Sequence, residues 1–109
     1  MSRDIVLLTV DSWRYDTTDL VPNVSSRLSG PSDLICAGAA TNWVFPAVLS
    51  GTYYPNAYDG SGGLRSDLVS LPQLLSEAGY STGGFVACNP YVSKWNNHFD
   101  EFWNADLSV

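Results

Sequence analysis

The chain has 109 residues, 45% of them hydrophobic, which allows one packed domain and excludes wholesale disorder. Its 11 acidic residues outnumber 5 basic ones, and no basic cluster exists, which argues against nucleic acid or an anionic membrane as partner. No apolar run approaches the ~20 residues of a transmembrane helix, and the opening residues lack a leader pattern, so a cytoplasmic chain is expected.

Residues 5–10, IVLLTV, form an apolar run rich in branched side chains. Such a run suits a strand buried on both faces, as in a parallel sheet between helices. It stops at Asp11-Ser12. An aspartate at the C-terminal end of a buried strand stands at the rim of an α/β sheet, where such folds keep their ligands. A turn-capping role is open to the same residue. The polar loop that follows carries Trp13 and Tyr15, read as packing residues covering the core.

Pro22 opens a short helix to about Leu28, with Val24 and Leu28 on its buried face and Gly30-Pro31 as its stop. Residues 32–39, SDLICAGA, read as a second strand, whose small residues permit close approach of a neighbour. Residues 41–45 read as a loop leading into a helix from Pro46 to about Ser50, ended by Gly51. Residues 52–67 are the least structured stretch, and their glycine cluster, DGSGG, reads as a mobile turn without phosphate-loop spacing.

Ser70 is the N-cap candidate of a helix with Leu71, Leu74, Leu75 and Ala78 on its apolar stripe and Gly79 as its stop. Residues 80–88 read as a third strand, with Gly83-Gly84 marking a tight packing contact. The tail from Tyr91 alternates aromatic and polar residues and reads as a wrapping segment with one helical turn. Cys36 and Cys88, in apolar surroundings and without metal-site spacing, read as buried free thiols. The whole is one α/β domain over residues 1–109: a small, mostly parallel sheet flanked by helices. Three strands leave open edges, so a homodimer or a second polypeptide completing the sheet is expected.

The order of these motifs resembles the N-terminal part of sulfatases in the alkaline phosphatase superfamily. IVLLTVDSWRYD resembles the family's first strand and its metal-binding aspartate, and VPNVSSRL its first helix. ATNWVFPAVLSGTYYPNAYD resembles the nucleophile loop and helix with its sequel. SLPQLLSEAGYSTGGFVACNPYVS resembles the helix-and-strand segment that follows, and HFDEFWN the Gly-Phe-Asp-x-Phe segment.

The resemblance implies an alkaline phosphatase-like fold and metal-dependent hydrolysis of sulfate or phosphate monoesters. It makes Asp11 a ligand of a divalent cation, calcium or magnesium, since hard cations prefer oxygen donors. The metal would polarise the ester and activate a nucleophile. Here the sequence departs from the family. The nucleophile position, two residues before the proline, holds Val44, and an isopropyl group cannot attack. Ser12 replaces a second aspartate found in many members, Ala47 replaces a serine, and the neighbouring basic residue is missing. Thr41 and Ser50 are hydroxyls away from the nucleophile position and read as structural; His98 reads as a surface or packing residue. The family's later ligands lie beyond this stretch of sequence. The expectation is a truncated, sulfatase-like domain with weak or no metal binding and no catalysis on its own; a binding or interaction module, or part of a longer or two-chain hydrolase, is the alternative.

Overall fold

A computed structural model describes residues 3–10, 13–20, 22–27 and 34–105. The chain divides into two compact units, Met1–Leu34 and Ile35–Val109.

In the first unit a 3-10 helix, Tyr15–Leu20, is followed by one α-turn, α1, Pro22–Ser25. Proline starts α1 as expected, because its missing N–H costs nothing in a first turn. Val24 is half-buried, and Leu28, its expected partner, lies outside the described residues. Trp13 is half-buried, in keeping with a packing role.

The expected first strand is not observed. Residues 5–10 make no ladder with any described residue, and their apolar side chains are exposed, Val6 at 87%. Branched side chains favour strands, yet a strand exists only where a partner supplies its hydrogen bonds. The expected second strand also fails over its described part. Its chain bends at Ala37, Ala39 and Ala40, and Ile35 is fully exposed. The small residues there serve instead to bring Gly38 against Trp43 at the start of the next helix.

That helix, α2, runs Thr41–Ser50, so the expected loop at 41–45 is helical and Pro46 lies inside it. A proline in a helix interior leaves the carbonyl four residues back without a donor. For Pro46 this is Asn42, and the Tyr58 hydroxyl donates to that oxygen at 3.1 Å. An outside donor thus lets the helix run through its proline. Gly51, in the left-handed region, closes the helix as expected.

Residues 52–67 are more ordered than their composition suggests. Helix α3, Tyr54–Ala57, is followed by an antiparallel bridge between Tyr58 and Leu64. The glycine cluster between them is pinned: the Asp59 carboxylate accepts from the Ser61 amide at 2.9 Å, the Ser61 hydroxyl at 2.6 Å and the Gly63 amide at 3.1 Å. Arg65 then forks onto Asp67 and donates to the Asn56 carbonyl, tying this hairpin to α3.

Helix α4, Leu71–Glu77, carries the expected cap in full. The Ser70 side chain accepts from the Gln73 amide, and the Gln73 side chain accepts from the Ser70 amide. This reciprocal pair satisfies two donors that a helix start otherwise leaves bare. At the other end Tyr80 N–H bonds the Leu75 carbonyl and Gly79 N–H that of Ser76, with Gly79 at φ 95°. Those two bonds define a Schellman stop, which requires the left-handed residue.

The turn delivers the chain into β1, Gly83–Ala87, the expected third strand. Its partner is β2, Glu101–Ala105, in the segment read from sequence as a wrapping tail. The pair is parallel, with Gly83 opposite Glu101 and Ala87 opposite Ala105. A parallel pair needs a long crossover. Here helix α5, Pro90–Ser93, capped by the Asn89 side chain, and a 3-10 turn, Asn96–His98, supply it. The result is a small α/β arrangement with a two-stranded parallel sheet among the described residues.

Gly84 is buried because the Phe102 ring lies where its side chain would be; a Cβ would stand 2.6 Å from that ring. On the opposite face the register partners Phe85 and Trp103 are 78% and 59% exposed. The core of this unit is built from Pro46, Leu49, Ala57, Val92 and Trp95. Cys36 and Cys88, expected to be buried, are exposed, and the Cys88 thiol donates to the Ala105 carbonyl at 2.8 Å.

Candidate functional site

Asp11, the one metal-ligand candidate, and Ser12 beside it lie outside the described residues. Val44 sits in α2, half-buried, one turn into the helix. Its position is therefore that of a packing side chain on a regular helix. The nearby hydroxyls have structural tasks. Thr41 opens α2, and the Ser50 hydroxyl donates back to the Pro46 carbonyl at 2.6 Å. Ala47, where the resemblance implies a serine, is likewise half-buried in the helix.

Calcium or magnesium takes about six oxygens, and among the described residues no group of three or more His, Cys, Asp or Glu is placed to hold a metal. Asp11 alone would contribute at most two, so the described residues do not complete a metal centre around it.

Aromatic residues line α2 instead. The Trp43 and Tyr54 rings lie 5.8 Å apart and those of Tyr54 and Tyr58 5.2 Å apart. The Lys94 ammonium stands 5.3 Å from the Tyr58 ring centroid, within cation–π range. Burial, with Tyr54 alongside, pushes the Tyr58 phenol above its ordinary value of 10.0. It therefore remains a neutral donor to Asn42 throughout the neutral range.

A second polar constellation was not singled out from the sequence. An open groove of about 460 Å³ is lined by residues 66–69, by Gln73, Ser76 and Glu77 of α4, and by residues 97–100. His98 reaches from this wall to Ser70, with Nδ1 2.8 Å from Oγ. Its ring packs on Trp95, centroid to centroid 5.1 Å. Burial holds the imidazole pKa below the ordinary 6.5.

A hydroxyl beside an imidazole has the outline of a nucleophile and its base. Ser70 cannot serve so: it is fully buried, and its oxygen is engaged by the Gln73 amide. The half of this cluster that could be read from sequence is Ser70 and Gln73, three residues apart ahead of an apolar stripe. His98 comes from 28 residues away, and only the folded chain reveals it.

Asp100, on the same wall, closes the sheet entrance. Its carboxylate accepts from the Thr82 amide at 2.8 Å and from the Ser76 hydroxyl at 3.2 Å, and its amide donates to the Thr82 hydroxyl at 2.9 Å. These bonds hold its pKa below the ordinary 3.8. Asp67 is lowered likewise by Arg65. Both carboxylates are thus engaged by protein groups.

Among the described residues no helix is long and apolar enough to cross a membrane. The chain matches no protein-family model, no curated protein and no solved structure.

Proposed function

We propose that these 109 residues are a sulfatase-like portion of the alkaline phosphatase superfamily that has no hydrolase activity of its own. The order of motifs supports the family. So does the local structure of the best-matched segment, a capped helix, α4, running into β1 of a parallel pair. The observation that carries the inactivity is Val44: the nucleophile position is an apolar residue within a continuous helix. In this reading Asp11 is what remains of the metal site, and calcium or magnesium binds weakly or not at all. A cytoplasmic location belongs to this reading.

The test is turnover of an aryl sulfate and an aryl phosphate with calcium, magnesium or manganese added. Activity at background is expected. Turnover that disappears in Asp11→Ala would refute the proposal.

A second reading, association with another polypeptide or a second copy, is favoured by exposed apolar surface at Val6, Ile35, Phe85 and Trp103. The tryptophans divide on this point, since Trp95 is fully buried while Trp103 is exposed. Sedimentation of the purified chain decides it: a monomer with no co-purifying partner argues against this reading.

A further inference from the structure

His98 is the only histidine in the chain, and it meets a serine that has no access to water. The Ser70 hydroxyl has one proton to give, and a buried donor without an acceptor is costly. Its contact with Gln73 runs the wrong way, because there the oxygen accepts an amide N–H at 3.4 Å. The acceptor in reach is Nδ1 of His98 at 2.8 Å. The neutral ring must therefore keep its lone pair on Nδ1 and its proton on Nε2.

We infer that His98 is a pH-sensitive latch on the N-terminus of α4: a proton on Nδ1 turns the contact round and releases the Ser70 cap. In the imidazolium Nδ1 becomes a donor. Ser70 Oγ then faces two donors, Nδ1–H and the Gln73 amide, and its own proton is stranded in a buried place. The cheapest relief is for His98 to leave, which frees residues 97–99 from the start of α4 and opens the groove wall. Three carboxylates face this groove: Asp67 from the loop before α4, Glu77 from α4 and Asp100 from the residue just before β2. They favour the imidazolium, but Asp67 is neutralised by Arg65 and Asp100 is engaged by Thr82 and Ser76. Burial of the ring against Trp95 acts the other way and prevails, so the latch stays closed at neutral pH and opens below 6.5. The device is independent of any ester chemistry.

The test is nitrogen NMR on the full 109-residue chain, where one histidine makes assignment unambiguous. At pH 7.5 Nδ1 should resonate as the unprotonated nitrogen and Nε2 as the protonated one. On acidification the Gln73 amide should shift with the same midpoint as His98, below 6.5. In His98→Gln the Gln73 amide should lose that step. In Ser70→Ala the His98 midpoint should rise, since the neutral ring has lost its donor. If Ser70→Ala does not fold, the wild-type tautomer and the Gln73 titration still decide. A proton on Nδ1 at pH 7.5 overturns the inference, as does a Gln73 amide that stays still through the His98 titration.

Discussion

The Tyr58 hydroxyl completes helix α2 by donating to the Asn42 carbonyl, the acceptor that Pro46 leaves without a helical partner. The two residues are 16 apart in sequence, so a helix start and a hairpin are joined through one phenol. Removing it in Tyr58→Phe should cost about 1 kcal/mol, the usual net worth of such a bond. In Pro46→Ala the backbone N–H returns, and the same deletion should then cost little. Urea denaturation of the four proteins in this cycle measures the coupling; additive effects would mean that Tyr58 merely packs.

Gly84 and its neighbour Gly83 should respond differently to alanine. A Cβ on Gly84 would meet the Phe102 ring at 2.6 and 2.9 Å and Phe99 at 3.3 Å, inside the sheet contact. Overpacking of that kind costs about 1–3 kcal/mol. A Cβ on Gly83 meets only the outer edge of the Phe85 ring, at 3.2 Å, and that exposed ring can swing away. Gly84→Ala should therefore lower the denaturation midpoint clearly, and Gly83→Ala should leave it nearly unchanged.

The elements legible in the sequence are those coded by neighbours. The α4 cap, its Schellman stop and the strand behind it needed only residues 70–87, and proline and glycine marked both ends. What was not legible depended on distant partners. Pro46 looked like a helix start because Tyr58, its substitute donor, is not a local signal. Residues 101–105 looked like a tail because the pairing of Phe102 against Gly84 is a tertiary event. The same holds in reverse for residues 5–10, whose strand composition finds no ladder partner among the described residues. At the groove, capping chemistry was readable in Ser70, but the imidazole that shares its hydroxyl was not.

Acid should weaken the fold in two steps. His98 has a folded pKa below its ordinary 6.5, so its contribution is whole above 6.5 and is lost as pH falls through the lower, folded value. Asp59, Asp67 and Asp100 all sit below their ordinary 3.8, so theirs is whole above 3.8 and is lost as pH falls further. Substitution tells the two contributions apart. His98→Gln should remove the upper step alone, and Asp100→Asn should shrink the lower one. Thermal unfolding followed by circular dichroism from pH 7.5 to 2.5 separates them.

Restoring a hydroxyl at the nucleophile position should not restore chemistry. Val44→Thr keeps nearly the volume of the isopropyl group but places an oxygen on a half-buried face of α2. A threonine in a helix can turn its hydroxyl back to the carbonyl a turn earlier, so folding should survive at a cost of about 1 kcal/mol. An alcohol needs a base or a metal to lower its pKa before it can attack. No described acid or histidine cluster provides a metal site, and Asp11 adds at most two oxygens. Aryl sulfate and aryl phosphate turnover by Val44→Thr should thus stay at the wild-type background, with or without calcium, magnesium or manganese. Metal-dependent turnover in this variant, lost again when Asp11 is changed to alanine, would mean that the remaining ligands are present after all and that Val44 was the single missing group.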